Sequence, residues 1–574
     1  MFALKKLVFI GVATLFVASF SVSAAYNYSE AFEKSIYFYE CQVSGEKPSW
    51  NRCEWRGNSA LNDGKDVGVD LTGGWYDAGD HVKFGFPLAY TATMLALGYV
   101  EYEDVYVKQG QKEHFLNNLR FVNDYFIKCH TSKFELWGQV GNSHLDHGWW
   151  GPAEKMTMER PAYKIDTQKP GSDLAAETAA AMAASSIVFK RSNDAVYAQT
   201  LLKHAVELYE FAEKYPKKYH ESIDNAQGCY QSWSGWYDEL VWAGIWIYLA
   251  SNDVSYLDKA EHYYDSLGVE NGTTTRKFKW AHCWDDKGYG SYVYLARLTG
   301  KEKYITDAER WLDFWTCGVE GSKVPYTPGG LAWIDRWGVL RYASTTSLFA
   351  LIYSDHLRGT GGDAEKIKRY SEFGISQIDY ILGKNPSNRS FVCGVGNNPP
   401  VNPHHRSAHG SELFVMTDPV NNRFKLDGAL VGGPDQNDKY TDDRNNYEMN
   451  EVACDYNAAF TSVLARVIGG ESAGNKGITS IEPIQKLAPQ EQIGLDIRSV
   501  NNQEIMCAFT LPKSSPVTIS LFSINGKKLA SLDDKTLSSG AHSLRYILPA
   551  SLNSTYIIMV KAGENRFSKM VTLF

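Results

Sequence analysis

The chain has no Cys-x-x-Cys spacing among its nine cysteines, so thiolate zinc sites and dithiol redox motifs are not expected. It has no excess of positive charge. Its 58 Lys and Arg face 66 Asp and Glu, a net charge of −8, which argues against nucleic acid as a partner. After residue 20 no apolar run approaches the length of a membrane span. No repeat of fixed period is visible, which disfavours a stacked helical solenoid. Before residue 468 few segments alternate with period two, and after residue 490 there is no Trp. What is abundant is aromatic. The 574 residues include 16 Trp and 35 Tyr. That content suits either a Trp-rich core or a long cleft stacking on flat polar ligands such as sugar rings.

Residues 1–25 open with Lys5 and Lys6, continue with an apolar run over 7–20 and end in Ser-Val-Ser-Ala-Ala. This is the pattern of an export leader cleaved near Ala24 or Ala25. Export permits disulfides, and Cys41 and Cys53 are the closest pair in sequence. An odd count leaves at least one thiol over. Helical spacing of apolar residues then dominates, at 173–190, 201–214, 239–250, 290–298, 303–316, 344–357 and 363–382. Long loops rich in Gly, Pro, Asn and Trp separate these segments, which predicts helical hairpins in a ring with loops gathered at one end. The small, polar stretch 470–489 reads as a linker. Short strands follow at 493–499, 505–511, 517–523, 527–532, 542–548, 556–562 and 567–573, with a hairpin signal at Asn525-Gly526. Seven strands of this length predict a small β-sandwich over 490–574.

The centre of the chain is residues 70–84, Asp-Leu-Thr-Gly-Gly-Trp-Tyr-Asp-Ala-Gly-Asp-His-Val-Lys-Phe. Asp77 and Asp80 flank Ala78-Gly79, and a tight turn can aim both carboxylates at one point. Such a pair can hold a water and take its proton, or it can be a plain solvated turn or half of a metal site. Asp146, His147, Trp149 and Trp150 offer stacking beside hydrogen-bonding groups, or a buried Trp corner. Asp238 and Glu239 precede an apolar helix. They read either as dipole partners or as calcium ligands, with the carbonyls of Ser234 and Gly235 and a further ligand from Asp285-Asp286. His404, His405 and His409 invite zinc, but Arg406 beside them better fits a polar ligand. Glu451 is either a first-turn Glu or a general acid raised by desolvation.

Several motifs occur in one order: TGGWYDAGDHVKF (72–84), DHGWWGP (146–152), RPAYKID (160–166), PGSDLAAET (170–178), YTPGGLAW (326–333), PHHR (403–406) and NEVACDYNA (450–458). With them the chain over 26–468 resembles glycoside hydrolase family nine, the largely cellulolytic endoglucanases. The resemblance implies an (α/α)6 barrel over 26–469 and an inverting, endo-acting hydrolysis of β-1,4-glucan. It implies Asp80 as general base, Asp77 holding the attacking water and Glu451 as general acid. His147, Trp150, His404, His405 and Arg406 fall on sugar-contacting motifs, Trp333 and Tyr456 on aromatic subsites, and Asp442 on a supporting position. Family calcium ligands fall on Ser234, Gly235, Asp238, Glu239 and Asp285. Asn142-Ser143-His144 and Arg336 depart from common members. A mixed-linkage glucanase or xyloglucanase on the same carboxylates, and a non-catalytic glycan-binding surface protein, are the competing readings. The C-terminal segment resembles the sorting domains of type nine secretion, which implies an export-machinery partner and an extracellular or cell-surface location.

Overall fold

The computed structural model describes residues 26–471, 478, 496–501, 504–511, 514–523, 527–548, 555–562 and 565–572. The expected leader, most of the expected linker and the Asn525-Gly526 turn lie outside the described residues. The chain divides into two compact units, Met1–Pro483 and Ile484–Phe574.

The first unit is mainly helical. Its long helices are α1 (Tyr28–Cys41), α2 (Gly85–Lys108), α3 (Lys112–Cys129), α4 (Ser172–Arg191), α5 (Ala195–Lys214) and α6 (Tyr237–Ser251). They continue with α7 (Val254–Tyr264), α8 (Gly288–Thr299), α9 (Glu302–Trp315), α10 (Val339–Thr360), α11 (Ala364–Leu382) and α12 (Cys454–Gly469). The even-numbered helices touch in the order α12–α2–α4–α6–α8–α10 and back to α12, closing a ring, and each odd-numbered helix lies against an even-numbered neighbour. This arrangement is consistent with an (α/α)6 fold.

Composition explains which helix goes where. In α4 every residue from Ser172 to Phe189 is buried, and in α6 Asp238 to Ile247 are all buried. A helix that is apolar or small on all sides has no solvent face, so it must be enclosed. In α9 the buried residues are Tyr304, Ala308, Trp311, Leu312, Phe314 and Trp315, a single stripe with charge elsewhere. Such a helix has one face to bury and sits outside the ring.

A small antiparallel sheet adds β1 (Lys83–Phe84), β2 (Glu135–Val140) and β3 (Ala162–Asp166) in that order. Lys83, fully buried, donates to the carbonyls of Leu71 (2.6 Å) and Gly73 (3.0 Å) and pairs with Asp63 at 2.8 Å. It thereby fixes the floor of the 70–84 loop. All nine cysteines are free thiols, seven of them buried.

The second unit is β-rich: β4 (Asp496–Asn501), β5 (Glu504–Leu511), β6 (Ser515–Ser523), β7 (Lys528–Leu537), β8 (Gly540–Ile547), β9 (Thr555–Ala562) and β10 (Asn565–Thr572). They form two antiparallel sheets, β10-β9-β6-β7 and β4-β5-β8. Alternate residues Ile505, Cys507, Phe509 and Leu511 of β5 share one core with Val517, Ile519 and Leu521 of β6. This is the period-two burial of strands with one wet face.

Candidate active site

The segments leading into the inner helices carry the chemistry. A cleft of about 580 Å³ is lined by Asp77, Asp80 and Phe84 before α2, His147 and Trp150 before α4, and Tyr230 before α6. Trp284 before α8, Trp337 before α10, and His404, Arg406, Met416, Tyr447 and Glu451 before α12 complete it. Helix starts carry a partial positive charge, which favours carboxylates gathered there.

The Asp77–Asp80 turn is closed by Asp77 N–H donating to Val82 O at 3.1 Å and by Ala78 N–H donating to Asp80 Oδ1 at 3.2 Å. Gly79 sits at its tip for a steric reason. A Cβ there would lie 1.9 Å from the carbonyl oxygen of His404. The two carboxylates then meet different partners. Asp77 Oδ2 accepts from the Tyr230 hydroxyl at 2.5 Å, while its Oδ1 is buried with no partner. Burial, followed by the charge of Asp80, pushes the Asp77 carboxyl well above the ordinary range. Asp80 Oδ2 lies 3.3 Å from His147 Nε2. Burial alone would raise Asp80, but the His147 contact and the Arg406 charge outweigh it and bring Asp80 down to about 2. The pair is therefore pushed apart, Asp80 toward the ionised form and Asp77 toward the protonated one.

Glu451 has the opposite setting to Asp80. Its Oε2 accepts from Trp337 Nε1–H at 2.6 Å and from the Tyr456 hydroxyl at 2.9 Å. Burial raises it above the ordinary Glu range, and these two donors restrain the rise.

Residues 403–406 join the two sides of the cleft. His404 N–H donates to Asn450 O at 2.8 Å, forming a parallel bridge with Glu451. Arg406 N–H donates to Gly79 O at 3.0 Å. The turn bearing Asp80 and the extended segment bearing Glu451, 371 residues apart in sequence, are thus fastened to one short segment. His404 Nδ1–H donates to Arg444 O at 2.6 Å, leaving Nε2 as the acceptor nitrogen. Burial brings its pKa down to about 4. Arg406 is buried, donates Nε–H to Trp149 O at 3.0 Å and lies over the Trp150 ring at 5.2 Å. Trp150 lines the cleft from behind, with Nε1–H donated to His409 Nδ1 at 2.6 Å.

Three expected sugar contacts, His405, Tyr456 and Trp333, and the supporting residue Asp442 are not among the cleft-lining residues. His405 is fully enclosed, with Nε2 on Gln42 Oε1 at 2.7 Å and Nδ1 accepting from Ala408 N–H at 2.9 Å. It caps the short helix Arg406–His409 instead of facing the cleft. Asp442 accepts from Val401 N–H (2.8 Å) and Asn402 N–H (3.1 Å), so it shapes the approach to His404. Tyr456 is buried behind Glu451, and Trp333 is half-buried, donating to Pro434 O at 3.2 Å. Neither of these rings lines the cleft. Tyr230, Trp284, Trp337, Arg341, Met416 and Tyr447 line it, and no sequence motif singled them out. Trp337 packs on Tyr447 with ring centroids 5.1 Å apart. Of the departures, Asn142 caps the short helix Ser143–His147 that presents His147, and Arg336 pairs with Glu448 at 3.4 Å.

Ser234, Gly235, Asp238, Glu239 and Asp285 gather around the start of α6. Asp285 Oδ1 accepts from Trp233 N–H at 2.7 Å, and Ser234 Oγ donates to Asp285 O at 2.6 Å. Asp238 Oδ2 accepts from Lys287 N–H at 2.8 Å. Burial and the charge of Asp238 push Asp285 up to about 6, and burial with Asp238 and Asp285 pushes Asp286 up to about 8. Glu239 Oε1 meets Lys287 Nζ at 3.1 Å, but its Oε2 is buried without a partner. One ammonium among this many crowded carboxylates leaves a deficit of positive charge, which a hard, oxygen-seeking cation fits.

Comparison with known proteins agrees with the geometry. Endoglucanase B of Cellulomonas fimi is 56% identical over 449 residues, covering 78% of this chain and 42% of that protein. Endoglucanase 4 of a Bacillus species is 51% identical over 451 residues, covering 78% of this chain and 69% of that protein. The chain thus spans less than half the length of the first relative. The endoglucanase structure from the termite Nasutitermes takasagoensis superposes with a TM-score of 0.71 at 46% identity, covering 77% of this chain and 99% of that one. The profile described as Glycosyl hydrolase family 9 matches residues 28–464, which run from the first turn of α1 into the last turns of α12. The ring and the cleft at its loop end are therefore one inherited unit, and the chain belongs to glycosyl hydrolase family 9.

Proposed function

We propose that this chain hydrolyses β-1,4-glucosidic bonds of cellulose-type glucans at internal positions, with inversion at the anomeric carbon. One observation carries the reading. Asp80 and Glu451 line the same cleft, are fastened to the same four-residue segment, and have opposite proton affinities. Asp80, ionised, takes a proton from the attacking water. Asp77, which lines the same cleft, helps to hold and polarise that water. Glu451, protonated, gives its proton to the departing glycosidic oxygen. Inversion needs room for the water between base and sugar, so the carboxyls of such enzymes stand roughly 6.5–9.5 Å apart. Trp284, Trp337 and Tyr447 offer faces for glucose rings. His147, His404 and Arg406 bind hydroxyls.

A product profile on soluble cellulose, lichenan and xyloglucan, with proton NMR of the first-formed anomer, tests this. The α-anomer from a β-linked glucan and a fast loss of viscosity are expected. Release of the β-anomer would overturn the mechanism, and binding without new reducing ends would favour a glycan-binding protein.

The pH profile supplies a second check. Tyr456 donates to the charged form of Glu451, so it holds that pKa down. In Tyr456→Phe the proton is retained to higher pH, and the alkaline limb of kcat/KM is expected to move upward. A downward shift would contradict Glu451 as the acid.

The calcium reading rests on the crowded carboxylates at the start of α6. Ser234, Gly235, Asp238, Glu239 and Asp285 would hold the ion, which supplies charge compensation and joins α6 to the 285–287 loop. Chelation is expected to lower Tm by several degrees, restored by Ca²⁺, since an ion bound to the native state stabilises it by about 2.7 kcal/mol at 100 times its Kd. An unchanged Tm would remove calcium from the account.

Export completes the proposal. The leader-like residues 1–25 take the chain out of the cell. The two C-terminal sheets on a shared core, without Trp, are read as a β-sandwich of sorting type rather than a sugar-binding module. No described helix is long and apolar enough to cross a membrane. Secretion assayed with and without residues 484–574 tests the sorting role.

A further inference from the structure

Away from the cleft, His130 ends α3 and His204 stands on the neighbouring α5. Their Nδ1 atoms are 2.8 Å apart, with the rings nearly perpendicular and 5.0 Å between centroids. Glu207 lies one turn after His204, and one ligand atom from each of the three residues falls within 4.8 Å of the others. His130 is buried, while His204 and Glu207 are partly open to solvent.

We propose that His130, His204 and Glu207 bind a divalent transition ion of the zinc type, with Nδ1 of each imidazole and one Glu207 oxygen as ligands and water as the fourth. Two imidazoles and one carboxylate select zinc-type ions over calcium, which takes oxygen ligands. Two nitrogens on a tetrahedral zinc stand about 3.4 Å apart at ordinary bond lengths, so the rings need to part by only about half an ångström. The 2.8 Å contact between the two Nδ1 atoms needs at least one ring neutral, and a neutral imidazole keeps a lone pair to donate. In the ion-free pair one Nδ1 carries the hydrogen shared between the rings. On binding, that proton moves to Nε2 of the same ring, with no net release. Lys203 lies 3.9 Å from a Glu207 oxygen, but it is largely exposed and free to swing aside. The bound ion fastens the end of α3, and the start of β2 five residues later, to α5.

Asp80, Asp146 and His147 in the cleft form a second grouping able to take an ion, so the experiment must separate the two. The intact chain, kept in calcium and stripped of transition metals, is titrated with Co²⁺ as a visible probe and with Zn²⁺ while Tm is followed. One Co²⁺ with a tetrahedral ligand-field spectrum is expected. It should persist in Asp80→Asn, vanish in His204→Ala and bind at least tenfold more weakly in Glu207→Gln. Zn²⁺ should raise Tm in Asp80→Asn and not in His204→Ala. Absence of the spectrum in the unaltered chain, its loss in Asp80→Asn, or its survival in His204→Ala would each overturn the site. If His204→Ala does not fold, Glu207→Gln decides, and undiminished Co²⁺ affinity there overturns it equally.

Discussion

Asp80→Asn is expected to lower turnover on soluble cellulose by roughly 10²–10⁴-fold, the usual share of a general base, with Tm almost unchanged. Asn has the shape of Asp and keeps an oxygen for the Ala78 N–H, so the turn against His404 survives. What disappears is the charge that takes the proton from water. A second consequence separates this role from a structural one. The Asp80 charge is the main electrostatic reason that Asp77 is held high, so removing it lets the Asp77 pKa fall toward its ordinary range. The residual activity of Asp80→Asn should therefore acquire a new acidic limb from Asp77. Ordinary turnover in the purified, folded variant would end the assignment of Asp80 as base.

Glu451→Gln is expected to cost a similar factor on cellulose, where the leaving group is a sugar alkoxide needing a proton, and far less on an aryl cellobioside whose phenolate departs without one. Gln still accepts from Trp337 and Tyr456 through its carbonyl, so the pocket keeps its shape. The alkaline limb of the pH profile should vanish with the carboxyl. Steady-state kinetics on the two substrates measure this directly. An equal loss on both would mean that Glu451 acts by positioning and that the acid is another group.

The sequence was legible where one local rule had no competitor. Alternation in the C-terminal segment located seven strands, and in β5, β6 and β9 it matches one face buried in the shared core. Among the outer helices, the apolar stripes of α5, α9 and α11 were visible, whereas α1, α3 and α7 were missed although each also buries one side. The inner helix α2 carried no such stripe, since Phe86 to Tyr102 are buried on every side and their pattern has no period. The site was legible in motifs but not in direction. PHHR reads as three equivalent candidates, His404, His405 and Arg406, yet the backbone at His405 is extended, so neighbouring side chains point to opposite sides. His404 and Arg406 line the cleft and His405 faces the core. Tyr456 misled similarly, since its ring points back at Glu451 rather than toward a sugar. Tyr230, Trp284 and Trp337 were missed because each comes from a different loop, and only closure of the ring brings them together.

The fastening at residues 403–406 bears on how such a catalyst tolerates change. The segments bearing Asp80 and Glu451 hang from a common bracket of main-chain hydrogen bonds. Insertions in the loops before α4, α6, α8 or α10 therefore reshape the walls of the trough without stretching the gap that the water must occupy. On the proposed mechanism, breadth of diet and stereochemical outcome are controlled by separate parts of one chain.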